Sequence, residues 1–568
     1  MGQARKVALC LTAAMINIGQ AWAQDALPDP SQELIRQQER EEALKALQAP
    51  QRAPAPADLR EDDAGRLVDG ESPCFAIQSV QLVGPDADEF SFALSAVTGP
   101  EGDDNPIGRC LGVNSINLLQ KRLQNAIMER GYVTTRVIVQ NQNIASGNLQ
   151  FFPIAGRIEK LNSGDASGVN FGAAMPADVG DLLNLRDVEQ ALENLKRVPT
   201  ADADIQIAPG TRPGESELQL KWRQDKQWRF GVSVDDAGSD ATGKFQSSFT
   251  ASLDNPLGQS DLAYATYSRA LGGGDGPSPK GSQSLTLHYS IPYGYWLFSA
   301  NGSVNQYHQT VLGAFDNYEY SGEGSNFSLN ASRVLWRDSR NVTTASVGLQ
   351  RRTSRNYIDD TEILVQRRAV TSVEAVLSHR LYWDKATVTA DVQYRQGIKA
   401  LGSLEAPEEP YGEGTSQYRL TTLGLRLQAP ITESAGGWTY SGSFKTQFHH
   451  TPLTPQDRFS IGGRYTVRGF DSSASITAER GFLLRNDFVT ASPWLLDGTQ
   501  VYLGLDAGRV SGPSALALSG TRLVGAAIGW RGQWAGTQFD VFWGKPISKP
   551  PELKADSSVW GFMLYRAF

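Results

Sequence analysis

The chain is poor in the residues that build metal centres and flexible cores. Its 568 residues hold 3 Cys, 5 His and 5 Met. So few thiol and imidazole groups leave little material for a metal site, and so few methionines beside 56 Gly favour β structure over a helical bundle. Apolar runs of about 20 residues are missing and the mean hydropathy is -0.34, which excludes a polytopic helical membrane protein. An excess of positive charge is also missing: 53 Lys and Arg stand against 61 Asp and Glu, a formal net charge of -8. That disfavours a nucleic-acid partner. The chain has no G-x-S-x-G, no H-E-x-x-H and no spaced Cys/His cluster, and Gly272-Gly273-Gly274 has no Lys-Ser/Thr after it. Neither a hydrolase nucleophile nor a phosphate-cradling loop is marked. His449-His450 reads as a solvated strand end. The expectation is therefore no enzyme, no catalytic residue, no metal and no cofactor. What is present, 40% hydrophobic and 9% aromatic residues, excludes global disorder, and the length allows three to four domains.

Residues 1–23 read as a secretory signal peptide. Arg5 and Lys6 precede the short apolar stretch Val7 to Gly19, and Ala21-Trp22-Ala23 supplies the small-residue cleavage site. Its removal takes Cys10 away and leaves Cys74 and Cys110. An even count in an exported chain suggests a disulfide. Its loop of a few tens of residues is worth roughly 3–4 kcal/mol.

Residues 24–49 carry a polar helix, Ser31 to Gln48, with Asp29 as cap, Pro30 in the first turn and Gln32 three residues after the cap. A helix with only Leu34, Ile35, Leu44 and Leu47 as larger apolar residues cannot hold a large core. Residues 50–72 read as a Pro-rich linker. Two small α/β units follow, 73–156 and 157–224. In the first, Phe75 to Leu82, Val133 to Val139 and Asn148 to Ile154 read as strands and Val113 to Arg130 as a helix. In the second, Leu185 to Leu195 is the clearest helix, with strands at Ile205 to Ile207 and Glu217 to Lys221. Such units are too small to enclose a catalytic cleft easily.

From 225 to 568 helical periodicity vanishes. Sixteen alternating segments, the first near Gln227, the sixth near Ser321, the eighth near Ile363 and the last near Ser558, are separated by Gly, Asn, Asp and Ser-rich loops. In the first, Trp228, Phe230, Val232 and Val234 face one way and Arg229, Gly231, Ser233 and Asp235 the other. In the thirteenth, Val501, Leu503, Leu505 and Ala507 oppose Tyr502, Gly504, Asp506 and Gly508. An even number of such segments in an exported chain, ending in Phe568, is the pattern of a transmembrane β-barrel with lipid outside and a wet lumen inside. Between the eleventh and twelfth segments lies Arg458 to Phe470, which includes Val467-Arg468-Gly469-Phe470. A solvated extracellular loop has no use for its apolar content; a loop folded back into the lumen does. There Arg468 can reach Asp506, or Asp487 on the polar face of the twelfth segment, through the two parallel bonds a guanidinium offers a carboxylate. Gly469 lets the backbone turn, and Phe470 can wedge against the wall.

These residues resemble the outer-membrane transporters of two-partner secretion (TpsB-type), also called the haemolysin-activator family. The loop matches its Val-Arg-Gly-Tyr/Phe motif, and Leu505-Asp506-x-Gly508 looks like the acidic strand motif that partners it. Pro73-Cys74-Phe75, Cys110-Leu111-Gly112 and Gly131 to Val137 resemble a first polypeptide-transport-associated (POTRA) domain; Glu193 to Pro199 and Pro209-Gly210 resemble a second. Asp254 to Gly258 and Tyr289 to Gly294 are further family-like stretches. The resemblance implies a 16-stranded antiparallel barrel in a Gram-negative outer membrane, two periplasmic POTRA domains and an N-terminal plug helix. The implied partner is an unfolded exoprotein of haemagglutinin, haemolysin or contact-dependent toxin type. It would be captured at a POTRA sheet edge, with Val133, Thr134, Thr135, Arg136 and Val137 as the candidate strand, and secreted through the barrel without nucleotide. Lipid and the outer-membrane assembly machinery, the latter through Phe568, are the other partners, and a monomer is expected. The alternative is an assembly factor of the related POTRA-barrel superfamily; two POTRA units behind a polar helix and a Pro-rich linker favour secretion.

Overall fold

The computed structural model describes residues 30–48, 65–164, 168–313, 315–432 and 436–568. The signal peptide, residues 24–29 with the expected cap Asp29, and residues 49–64 lie outside the described residues.

The first α/β unit packs the helix Val113–Glu129 over a three-stranded sheet ordered Ser79–Leu82, Asn148–Ile154, Arg136–Ile138. Ile116, Leu119, Leu123 and Ile127, one face of the helix, are buried with Ile77, Leu149 and Phe151. Cys74 and Cys110 are joined by a disulfide. Residues 65–72 are not free linker. Leu67 enters this core, its N–H donates to Asp104 (2.8 Å), and Glu71 accepts from the N–H groups of Asn114 and Ser115 (3.0 Å each), capping the helix. Burial alone would raise the Asp104 carboxyl, but the Leu67 N–H, Arg122 and Arg109 hold it below the usual carboxylate range.

Two strand expectations change here. Phe75 to Leu82 breaks into Phe75–Ala76 and Ser79–Leu82, because the N–H groups of Ile77 and Gln78 turn to the carbonyls of Arg109 and Gly147. The expected edge strand Val133 to Val137 is a correction: Val133, Thr134 and Thr135 form a turn, and only Arg136 and Val137 lie in a strand. The buried Thr135 hydroxyl accepts the Gly156 N–H (3.0 Å), which pins that turn to the far end of the unit. In the second unit the helix is Leu185–Leu195, as the spacing indicates. The strands Ala201–Pro209 and Glu215–Gln224 are longer than expected, and Glu215–Gln224 is central, with Arg157–Asn162 and Ala201–Pro209 as edges.

From Trp228 to Ala567 the alternation closes a barrel of sixteen antiparallel strands. Trp228 is 52% exposed and Asp235 2%, as a lipid face and a polar lumen require. The sixth strand begins at Asn317, four residues before expectation, and the eighth at Arg368, five after. Before the eighth, Thr361–Glu362 pairs back onto the seventh strand and Leu364–Gln366 makes a 3-10 turn. Fifth to seventh strands of 17, 21 and 18 residues far exceed the roughly 9–11 needed to cross the bilayer, so they stand above it.

The second α/β unit docks on the opposite end. Asn194 Nδ2 donates to the Gly294 carbonyl (2.7 Å), Thr200 Oγ1 to Asp254 (2.9 Å), Asn255 Nδ2 to the Gly168 carbonyl (2.8 Å) and Tyr295 to Asp187 (2.5 Å). On that side Trp228, Trp296, Trp336, Trp383, Trp438, Trp494 and Trp534 sit exposed at strand ends or turns. Such an aromatic belt marks a membrane–water interface. The 19-residue helix Pro30–Gln48, about 28 Å long, runs through the lumen. Near its start Glu33 accepts from Thr242 (3.1 Å); midway Arg40 meets Asp235 (2.9 Å); at its end Gln48 donates to Tyr565 (3.0 Å).

Candidate functional site: a loop pinned across the lumen

Between the eleventh strand, Thr439–His449, and the twelfth, Arg480–Ala491, the chain turns back into the barrel. A short hairpin, Phe459–Ile461 with Ile476–Ala478, stiffens the loop. Val467 and Phe470 are buried in one apolar cluster with Phe459, Ile461 and Ile476 of the hairpin and Leu483, Val510 and Leu523 of the wall. This is why an apolar loop is stable here: its side chains leave water as a core residue's do.

The expected charge pair is present. Arg468 gives three hydrogen bonds to Asp506: its backbone N–H and Nε to Oδ2 (3.0 and 2.7 Å) and Nη2 to Oδ1 (2.8 Å). Asp506, on the thirteenth strand Thr499–Ser511, is fully buried. Asp487 is the second partner: its Oδ1 lies 2.6 Å from Arg468 Nη2 as an ion pair off the hydrogen-bond direction. The guanidinium also lies 5.5 Å from the Tyr502 ring centre, and Tyr502 in turn donates to Asp540 (3.0 Å). The loop motif and both acidic candidates are thus brought together.

The loop lies flat because the wall has no side chains beneath it. A Cβ on Gly504 would come within 2.5 Å of the Arg468 guanidinium, and one on Gly525 within 1.8 Å of the Arg468 carbonyl. Gly469 has φ +102°, and a Cβ there would meet the Lys545 carbonyl at 2.5 Å, so a larger residue is excluded twice over. Sequence reasoning missed this floor; glycine on the lumen face of adjacent strands was the available signal. It also missed Arg485, which donates to the carbonyls of Arg464 and Tyr465 (3.2 and 2.7 Å), Arg464, which pairs with Asp236 (2.6 Å), and Asp457, which pairs with Arg352 (2.6 Å).

A sixteen-stranded barrel with two α/β units on its periplasmic side and an arginine loop fixed in its lumen defines a transmembrane β-barrel with a filled pore. The haemolysin secretion/activation protein family ShlB/FhaC/HecB matches residues 214–532. A POTRA domain of ShlB type matches residues 75–155 and a POTRA domain matches residues 157–209. The outer membrane transporter CdiB-2 of Burkholderia pseudomallei (strain 1026b) is 32% identical over 97% of this chain and 95% of its own length. The hemolysin transporter protein ShlB of Serratia marcescens is 27% identical over 76% of this chain and 74% of its own. The solved structure of CdiB from Acinetobacter baumannii superposes with a TM-score of 0.82 at 26% identity, covering 96% of this chain and all of that one. The chain belongs to the ShlB/FhaC/HecB family of outer-membrane transporters, with its POTRA domains in the periplasm.

Proposed function

We propose that the chain secretes one partner exoprotein of the two-partner type, and that Arg468, held by Asp506 and Asp487, keeps the loop where the passing chain needs it. The observation that carries this reading is the buried Arg468–Asp506 pair beneath a helix-filled lumen. A family of exoprotein transporters and POTRA domains at the periplasmic mouth support it. Unfolded cargo arrives in the periplasm and adds a strand to a POTRA edge, where main-chain hydrogen bonds supply affinity and alternate side chains supply specificity. The best edge is Ala201–Pro209 of the second unit, nine residues beside the barrel mouth; Arg136–Ile138 of the first offers three. The helix then leaves, the cargo threads past the loop, and folding outside makes export irreversible without nucleotide. The 73–156 and 157–224 units act as successive cargo sites. The transporter works as a monomer in lipid, delivered by the assembly machinery through Phe568.

Purified full-length transporter in lipid vesicles, POTRA domains outward, tests this directly. Unfolded exoprotein fragments added outside are expected to become protease-protected with no nucleotide present. Protection that requires ATP, or none at all, contradicts the reading.

A further inference from the structure

The loop carries three charged anchors within twelve residues, and each reaches a different wall. Asp457, at the entry of the loop, takes Arg352 Nη2 at 2.6 Å and the Thr454 hydroxyl at 2.8 Å. Arg352 belongs to the seventh strand, Asn341–Ile358. Arg464 reaches Asp236, just beyond the first strand, at 2.6 Å. Arg468 reaches Asp506 on the thirteenth. Around a ring of sixteen strands, the first, seventh and thirteenth stand six, six and four strands apart, close to an even three-way division.

We infer that the loop is a tripod, and that Asp457 and Arg352 are a positioning pair for transport, as necessary to the loop's course as the Arg468 pair. This rests on the reading that the lumen is the transport path. The alternation of charge makes the tripod directional. The loop offers one carboxylate and two guanidiniums, and the walls offer the complement. A loop rotated to another wall would set Asp457 against Asp236 or Asp506, and an arginine against Arg352; like charges in a dry site expel each other. Burial makes the second foot tight: the Asp457 side chain is wholly covered and that of Arg352 is 11% exposed. Opening it would strand two charges away from water. The surroundings are built for the pair. Gln456 Nε2 donates to Ser354 (2.7 Å) and Gln447 Nε2 to the Asp457 carbonyl (2.9 Å), tying the short turn Pro455–Asp457 to both neighbouring walls. A second arginine at the same place, Arg395, pairs with Glu374 (3.3 Å) and also faces Asp457 and Tyr418.

The tripod assigns the moving part. The loop is bound at three walls by buried ion pairs and the helix Pro30–Gln48 at one, Arg40–Asp235, so of the two it is the helix that leaves the lumen by breaking fewer of these pairs. An α-helix is about 10–12 Å across with its side chains, and its departure opens a channel of that width beside a stationary loop. Cargo therefore passes along the space the helix fills, with the tripod as one wall.

The test uses the full chain with its cognate exoprotein. Asp457→Asn and Arg352→Gln are each expected to lower cargo in the medium at least ten-fold while membrane amount and heat-modifiability of the barrel stay at parental levels. The double variant Arg352→Cys with Asp457→Cys is expected to be equally deficient. Bridging its two thiols with a short bis-methanethiosulfonate reagent is expected to restore export. A role confined to barrel stability would change barrel amount and would not respond to the bridge. Parental secretion by Asp457→Asn and Arg352→Gln overturns the second foot, as does a bridge that blocks export. Both outcomes leave the transport reading intact provided Arg468→Ala still abolishes secretion; parental secretion by Arg468→Ala removes that reading as well.

Discussion

Arg468 and Asp506 form a pair whose stability comes from completeness: a backbone N–H, Nε and Nη2 all converge on one carboxylate with no exposure. Neutralising one member leaves the other charged and dry, which costs more than the pair contributes. Asp506→Asn is therefore expected to destabilise the barrel by about 3–5 kcal/mol. Asp487, more exposed and off the hydrogen-bond direction, should cost about 1 kcal/mol or less as Asp487→Asn. Urea titration of the detergent-solubilised barrel, followed by gel mobility, measures both; equal midpoint shifts would assign the two carboxylates equal weight and contradict this ranking. Both partners were legible in the sequence because a strand's side chains alternate with a period of two, which sets the face of every residue once one is known. Arg464–Asp236 and Arg352–Asp457 were not. Their members lie 228 and 105 residues apart, and their loop ends have no period to place them.

At the scale of elements, the contact between the second POTRA unit and the barrel has a titratable group at its centre. Asp187, on the helix Leu185–Leu195, accepts from Tyr295 in a periplasmic turn. Burial raises the Asp187 carboxyl, and the Tyr295 hydroxyl only partly offsets this, with Asp181 adding to the rise. The sign follows from linkage. A carboxyl whose folded-state pKa is raised binds its proton more tightly when docked. Its contribution is complete below the ordinary carboxylate range and is lost as pH climbs through the raised value. Limited proteolysis between the second unit and the barrel is expected to accelerate as pH rises through that window. Asp187→Asn, a stand-in for the protonated form, should flatten the profile and keep the contact; a profile unchanged by the substitution would show that another group sets it. The elements themselves were readable to different degrees. The helix Leu185–Leu195 follows its apolar spacing, and the helix Pro30–Gln48 forms over the polar stretch expected from Ser31 to Gln48. Of the strand expected at Val133 to Val139 only Arg136–Ile138 forms: β-branched residues favour extension locally, while the Thr135 hydroxyl found a partner at Gly156, 21 residues away. Tertiary contacts of that kind leave no trace in a local pattern.

For the whole molecule, polarity and length decide the layout. A lipid face of Trp, Phe, Val and Leu closes the barrel, a belt of tryptophans marks its periplasmic rim, and the second POTRA unit is bound to the turns at that rim. The sequence carried this architecture because closure needs only an even set of alternating strands. It did not carry the way the interior is filled, since lumen-facing positions are read as polar whatever they touch. The loop and the helix occupy that interior differently: one is held on three walls by buried ion pairs, the other lies along the pore with one such pair, Arg40–Asp235. Transport, on this account, depends on the loop staying where Arg468 fixes it. Immunoblotting of culture medium and outer membranes from cells carrying Arg468→Ala, with the cognate exoprotein expressed alongside, tests this most directly. The account predicts a normally inserted barrel in the membrane and no exoprotein in the medium. Exoprotein in the medium at the parental level would contradict it.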